Sequence, residues 1–136
     1  MELDIRYLKE PFIEESGTLG ILDSPELPFQ PQRLYWIHSV PSGSTRGNHA
    51  HKTLQQFFWV IKGNVSIEIS DGTESQSLLM HENRELLVVS PGHWRKLFKF
   101  SNDAIIMVGA DATYDPQDYI HDWAEFVTWK KTVHEN

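Results

Sequence analysis

Residues 43–63 read GSTRGNHAHKTLQQFFWVIKG. His49 and His51 stand one residue apart here, behind Gly43 and Gly47 and ahead of the apolar run Phe57 to Ile61. In an extended chain side chains alternate between faces, so the two imidazoles share one face and Ala50 takes the other. Two imidazoles on one face of a strand make either half of a metal site or an acid–base pair. The same stretch leads into a second apolar run. Val65, Ile67 and Ile69 alternate with Ser66, Glu68 and Ser70, and Lys62-Gly63-Asn64 lies between the two runs. This pattern predicts a hairpin with one buried and one wet face.

Outward from this stretch the signals remain those of short strands. Arg33 to Val40 is rich in β formers and is closed by Pro41-Ser42-Gly43. Thr18 to Leu22, Gln76 to Met80, Arg84 to Val89, Trp94 to Phe98 and Ala104 to Ala110 read as further strands between turn residues. Leu27 to Pro31 reads as extended because its prolines exclude helix. Many short strands separated by frequent turns predict an all-β sandwich or barrel. The tail differs: Ile120, Trp123, Phe126 and Val127 recur at helical spacing, and Asp115-Pro116 supplies a start. A short amphipathic helix over 118–131 is expected to cover part of the barrel. With no internal repeat and no linker, the chain is expected to form a single domain, 1–136.

The totals exclude several classes. A net charge of −7 argues against nucleic-acid binding, which needs a basic face. Without cysteine there is neither a disulfide framework nor a thiolate metal site, which fits a reducing cytoplasm. No apolar stretch approaches a membrane span, and Met1 runs directly into ELDIRYLKE with no signal-peptide pattern. Arg33, Arg46, Lys52 and Arg95 nevertheless leave cations near the histidines for one small anion.

Gly43, His49, His51, Gln56 and Gly63 fall at the spacings of the first cupin motif, so the chain resembles the cupins, jelly rolls also described as double-stranded β-helices. The motif's glutamate is replaced by Gln56, a poorer ligand for a hard cation. The second motif is reduced to Pro91-Gly92-His93-Trp94-Arg95, where Trp94 or Arg95 takes the place of a ligand histidine. A guanidinium repels a cation, so no metal and no cofactor is expected. His49 and His51 are then free to act near neutrality as general acid and base.

A narrower resemblance runs through most of the chain. Arg33-Leu34-Tyr35-Trp36-Ile37 with Pro41, then Arg46-Gly47-Asn48-His49-Ala50-His51-Lys52, is similar to the sugar 3,4-ketoisomerases acting on dTDP-4-keto-6-deoxyglucose. Pro91-Gly92 with Trp94, Tyr114-Asp115, the segment Asp118 to Asp122, and Glu125-Phe126 agree with that family. The resemblance implies a metal-independent jelly roll, a homodimer, and transfer of a keto group from C4 to C3 of a dTDP-linked 4-keto-6-deoxyhexose. The product would feed 3-amino-3,6-dideoxysugars of bacterial surface glycans.

It places the proton transfers on His49 and His51, with His51 favoured as the main base. Tyr35, His38, Arg46 or Gln56 would serve an enediolate oxygen, and Arg33, Arg46 and Arg95 the pyrophosphate. Trp59 and Trp94 are candidates to stack on thymine. His38 stands where the family often has tyrosine, and Glu15-Ser16-Gly17-Thr18 where it is more basic. His81, His93, His121 and His134 read as solvated histidines of turns and tail, and the tryptophans as mostly core. The rival readings are a dTDP-sugar 3,5-epimerase, a non-catalytic sugar-nucleotide-binding cupin and a metal-dependent oxygenase.

Overall fold

The computed structural model describes residues 1–135, with side chains to residue 133. The last residue of the expected domain and the side chain of His134 lie outside the described residues. Two five-stranded antiparallel sheets pack face to face. One is ordered β1 (Asp4–Tyr7), β9 (Glu85–Val89), β6 (Gln56–Lys62), β11 (Ile105–Ala110), β4 (Arg33–His38). The other is ordered β12 (Tyr119–Ile120), β5 (Arg46–His51), β10 (Trp94–Phe98), β7 (Asn64–Ser70), β8 (Ser75–His81). A hairpin of β2 (Phe12–Glu14) and β3 (Gly17–Leu19) stands apart, and α1 (Trp123–Glu135) follows the last strand.

The hairpin expected around Lys62-Gly63-Asn64 does not form. β6 pairs with β9 and β11, whereas β7 pairs with β10 and β8 in the other sheet. Both arms carry an apolar face, and stacking those faces across the sandwich buries them against each other. The chain changes sheet at Gly63, whose φ of 74° suits glycine and where a Cβ would collide with Ser101 Oγ. Phe58, Val60, Leu87, Val89, Ile106 and Val108 of the first sheet thereby meet Val65, Ile67, Ile69, Met80 and Leu97 of the second.

The tail also departs from expectation. Asp115-Pro116 opens a 3-10 turn, Pro116–Asp118, in which the Asp115 side chain accepts from the Gln117 amide. Tyr119–Ile120 then pairs with β5 as a strand. The helix begins at Trp123, capped by Asp122, whose Oδ2 accepts from the Glu125 amide at 2.9 Å. Phe126 of α1, with Val127 and Trp129, packs on Ala50, Trp94 and Ile120 on the outside of the second sheet.

The interior is therefore divided along its length. One end is filled by the apolar residues above. At the other, strand alternation turns polar side chains inward: Arg33 and Gln56 both oppose Ala110, Arg95 opposes His49, and Tyr119 opposes His51. Residues directly opposite on paired strands point to the same face, so these six elements deliver one cluster.

Candidate active site

Strand β5 carries a bulge just before the histidines. Gly47 and Asn48 have φ of 86° and 59°, and the pairing with β10 slips between Arg95 and Lys96. A Cβ on Gly47 would lie 3.0 Å from the Arg95 carbonyl oxygen, so the close approach requires glycine. The bulge aims the Gly47 carbonyl at His49 Nδ1, 3.1 Å away. A carbonyl only accepts, so Nδ1 carries the proton and Nε2 is left with its lone pair.

His51 reaches the same tautomer by another route. Its Nδ1 lies 3.1 Å from Asp118 Oδ2. That carboxylate also accepts from the Thr53 amide at 2.8 Å, the Thr53 hydroxyl at 2.7 Å and the Leu54 amide at 3.2 Å. Burial alone would raise the Asp118 carboxyl, but these donors outweigh it and hold it below its ordinary value. A charged carboxylate requires a protonated Nδ1 opposite it, so His51 Nε2 is bare as well. The two rings meet edge to face at 4.9 Å, and both Nε2 atoms are buried without a partner among the described residues.

Both imidazoles are held neutral. Burial lowers His49 to about 3, assisted by the Arg95 charge and by His51. Burial and the Arg95 charge lower His51 to about 4, against the opposing pull of Asp118. Arg95 itself is fully buried and lowered by that burial to about 10, so it stays charged at neutral pH. It donates through Nη1 to Gln56 Oε1 and through Nη2 to the His93 carbonyl at 2.9 Å. Gln56 Nε2 in turn donates to the Tyr35 hydroxyl at 3.2 Å. Burial raises the Tyr35 phenol, so Tyr35 remains protonated. Arg33 lies over the Tyr35 ring at 4.7 Å and the Tyr114 ring at 5.4 Å. Two clefts reach the cluster. One, of about 380 Å³, passes Tyr35, His38 and Arg46, and one of about 70 Å³ passes Arg33, His51, Asp118 and Tyr119.

Of the residues singled out in the sequence, the structure brings together His49, His51, Tyr35, Gln56, Arg95 and Arg33, with Arg46 at the rim. Three others lie elsewhere. Trp59 faces the opposite side of β6 from Gln56 and packs with Phe57, Leu86 and Val88 under Leu27 and Phe29. Trp94 alternates with Arg95 and packs outside the sheet against Trp123 at 5.5 Å and Phe126 at 5.8 Å. His38 alternates with Tyr35 and Ile37, so it lines the wall of the larger cleft outside the buried cluster, exposed and in contact with its neighbour Ser39. Sequence reasoning assigns Asp118, Tyr119 and His121 no site role: the segment enters only through the family resemblance, and His121 reads as a solvated histidine. Tyr119 lies 4.3 Å from the His51 ring and stacks on His121 at 5.2 Å, and His121 lies 6.0 Å from His49. The alternation of Tyr119 and His121 was the available signal, hidden by the expected helix. Among the described residues no three His, Asp or Glu side chains converge as a metal-binding group.

Residues 3–131 match the family described as FdtA, WxcM-like, C-terminal. The chain is also 32% identical over 126 residues to the TDP-4-oxo-6-deoxy-alpha-D-glucose-3,4-oxoisomerase of Aneurinibacillus thermoaerophilus, covering 93% of this chain and 91% of that one. This chain belongs to the FdtA/WxcM-like family. A mutant of the 3,4-ketoisomerase QdtA from Thermoanaerobacterium thermosaccharolyticum, solved with TDP-4-keto-6-deoxyglucose, superposes with a TM-score of 0.85. Its identity is 27%, with 97% of each chain covered. More distantly, the 3,5-epimerase RmlC of Legionella pneumophila shares the fold at TM-score 0.69 and 13% identity, over 86% of this chain and 77% of that one. The FdtA-like chain thus has the cupin jelly roll, with its polar cluster at one end of the sandwich.

Neutral buried histidines carry a signature in stability. Their folded values lie below the unfolded value of 6.5, so between about pH 6.5 and 4 the unfolded chain binds more protons. The unfolding free energy is expected to fall as pH drops through that window, by up to about 1.4 kcal/mol per pH unit for each imidazole. Urea denaturation at fixed ionic strength measures it, and the His49→Asn and His51→Asn variants should each show a shallower slope. Equal slopes in all three proteins would contradict the assignment.

Proposed function

We propose that this FdtA-like protein is a TDP-sugar 3,4-ketoisomerase that moves the keto group of TDP-4-keto-6-deoxyglucose from C4 to C3. The observation that carries the reading is the pair of neutral imidazoles, both with a bare Nε2, under the charge of the buried Arg95 guanidinium. The relatives named above supply the substrate class.

The reaction needs two hydrogen movements. The C3 hydrogen leaves as a proton, and the C3–H electrons form the C3–C4 double bond as the C4 carbonyl becomes an enediolate oxygen. The hydroxyl proton then leaves O3 as C3 becomes the ketone, O4 gains a proton, and C4 takes up the proton that restores it to a carbinol. A single imidazole reaching both neighbouring carbons serves the first movement. His51 is suited to that role: its Nε2 is bare, Asp118 fixes its Nδ1 proton, and it lines the smaller cleft beside Arg33 and Tyr119. This keeps the preference for His51 drawn from the sequence. His49 and the protonated Tyr35 would then handle the oxygen protons. Arg95 supplies the positive charge toward which enediolate charge develops. Arg33 and Arg46, flanking the two clefts, are the cations for the pyrophosphate.

The assay is proton NMR of TDP-4-keto-6-deoxyglucose in D2O with the protein. Loss of the C3 proton and growth of a 3-keto product carrying deuterium at C4 are expected, and coupling constants report the C4 configuration. His51→Asn should lower the rate about 10²- to 10⁴-fold, and His49→Asn and Asp118→Asn by at least about tenfold. Exchange at C5 would establish the epimerase instead, and nucleotide binding without exchange would leave a binding protein.

We further propose that the working form is a homodimer, located in the cytoplasm with its nucleotide-sugar substrate. Phe12, Ile13 and Leu19 of the β2–β3 hairpin are exposed, Ile13 to 77%, as are Leu34 and Trp36 on β4, the end strand of its sheet. An open apolar edge of this kind invites strand pairing with a second copy. Light scattering should give twice the 15.8 kDa chain mass, and a monomer at assay concentration would overturn the proposal.

A further inference from the structure

Gln56 occupies the position where the cupin motif carries a metal-binding glutamate, and neither of its polar atoms faces an open ligand. It is fully buried, with Oε1 against Arg95 and Nε2 against Tyr35. The direction of this chain is fixed by elementary chemistry. A guanidinium only donates, so the amide must turn its oxygen to Arg95. Its NH2 then faces Tyr35, the Tyr35 oxygen must accept, and the tyrosine's own proton points elsewhere. Tyr35 lines the larger cleft. Arg95 meanwhile has no directly paired counter-charge: among the described residues it makes no ion pair with a carboxylate, Asp118 acts on it only through space, and its Nε is buried without a partner.

We propose that Gln56 is a positioning residue that sets the polarity of the site, holding Tyr35 as a hydrogen-bond donor to the reacting sugar oxygen while leaving Arg95 a cation with no directly paired carboxylate. A glutamate of nearly the same shape would do the opposite on both counts. Its carboxylate would accept from Arg95 and from Tyr35 together, drawing the tyrosine proton inward and cancelling the charge that meets the enediolate. The replacement of the motif's glutamate therefore converts a ligand position into a relay. This inference rests on the ketoisomerase reading for its catalytic half only.

The test is Gln56→Glu, a substitution that fits the existing space and gives a buried cation its counter-charge. The variant is expected to be more stable, with Tm raised by several degrees, and less active, with kcat lowered at least about 100-fold and KM within a few-fold. A residue serving structure alone would not raise stability and lower turnover together. Tyr35→Phe should lose a comparable factor in kcat, and the double variant should lose little more, because both act on one donor. A Tm that stays level or falls would overturn the claim that Arg95 lacks a directly paired counter-charge. Full kcat in Gln56→Glu, or losses that multiply in the double variant, would overturn the claim about Tyr35. A wild-type protein inactive on TDP-4-keto-6-deoxyglucose would instead fail the ketoisomerase reading, and the Tm comparison would still judge the charge arrangement.

Discussion

A guanidinium buried inside a β-sandwich without a carboxylate is costly, and the polar end of this protein is built around tolerating one. Arg95 enters the interior because β10 alternates it with Trp94 and Lys96, and among the described residues it donates to neutral oxygens, those of Gln56 and the His93 backbone. Neutral acceptors take up both of its terminal nitrogens without cancelling its charge, while its Nε stays buried without a partner. That charge adds to burial in holding His49 and His51 neutral, which is the state in which each presents a lone pair.

The two histidines illustrate how one sequence element yields unequal groups. Both sit on β5 and face inward, yet the proton on Nδ1 is fixed by a backbone carbonyl in one case and by a carboxylate in the other. A carboxylate stabilises an imidazolium, whereas a carbonyl does so weakly. The bulge at Gly47 and Asn48 is thus part of the chemistry. It produces the carbonyl that orients His49 and brings the β10 backbone close behind it.

Much of this was legible in the chain itself. The His-x-His spacing, the reduced second motif and the all-β pattern led to the jelly roll and to most of the cluster. Three features were hidden for physical reasons. The turn at Gly63 has the look of a hairpin, since local pattern cannot tell pairing within a sheet from crossing between two sheets. Trp59 and Trp94 were misplaced because their strands are covered on both faces, so an aromatic side chain gives no clue to which face it takes. Asp118 is 67 positions from His51, and its Asp-Pro neighbourhood reads as the start of a helix until the pairing of β12 with β5 is seen.

The account turns on both imidazoles being neutral with their protons on Nδ1, and side-chain 15N NMR of the histidines observes this directly. At pH 7 His49 and His51 should each show a protonated Nδ1 and an unprotonated Nε2, and neither should titrate until well below the ordinary imidazole range. A charged ring at pH 7, or a proton on Nε2 of either residue, would contradict it.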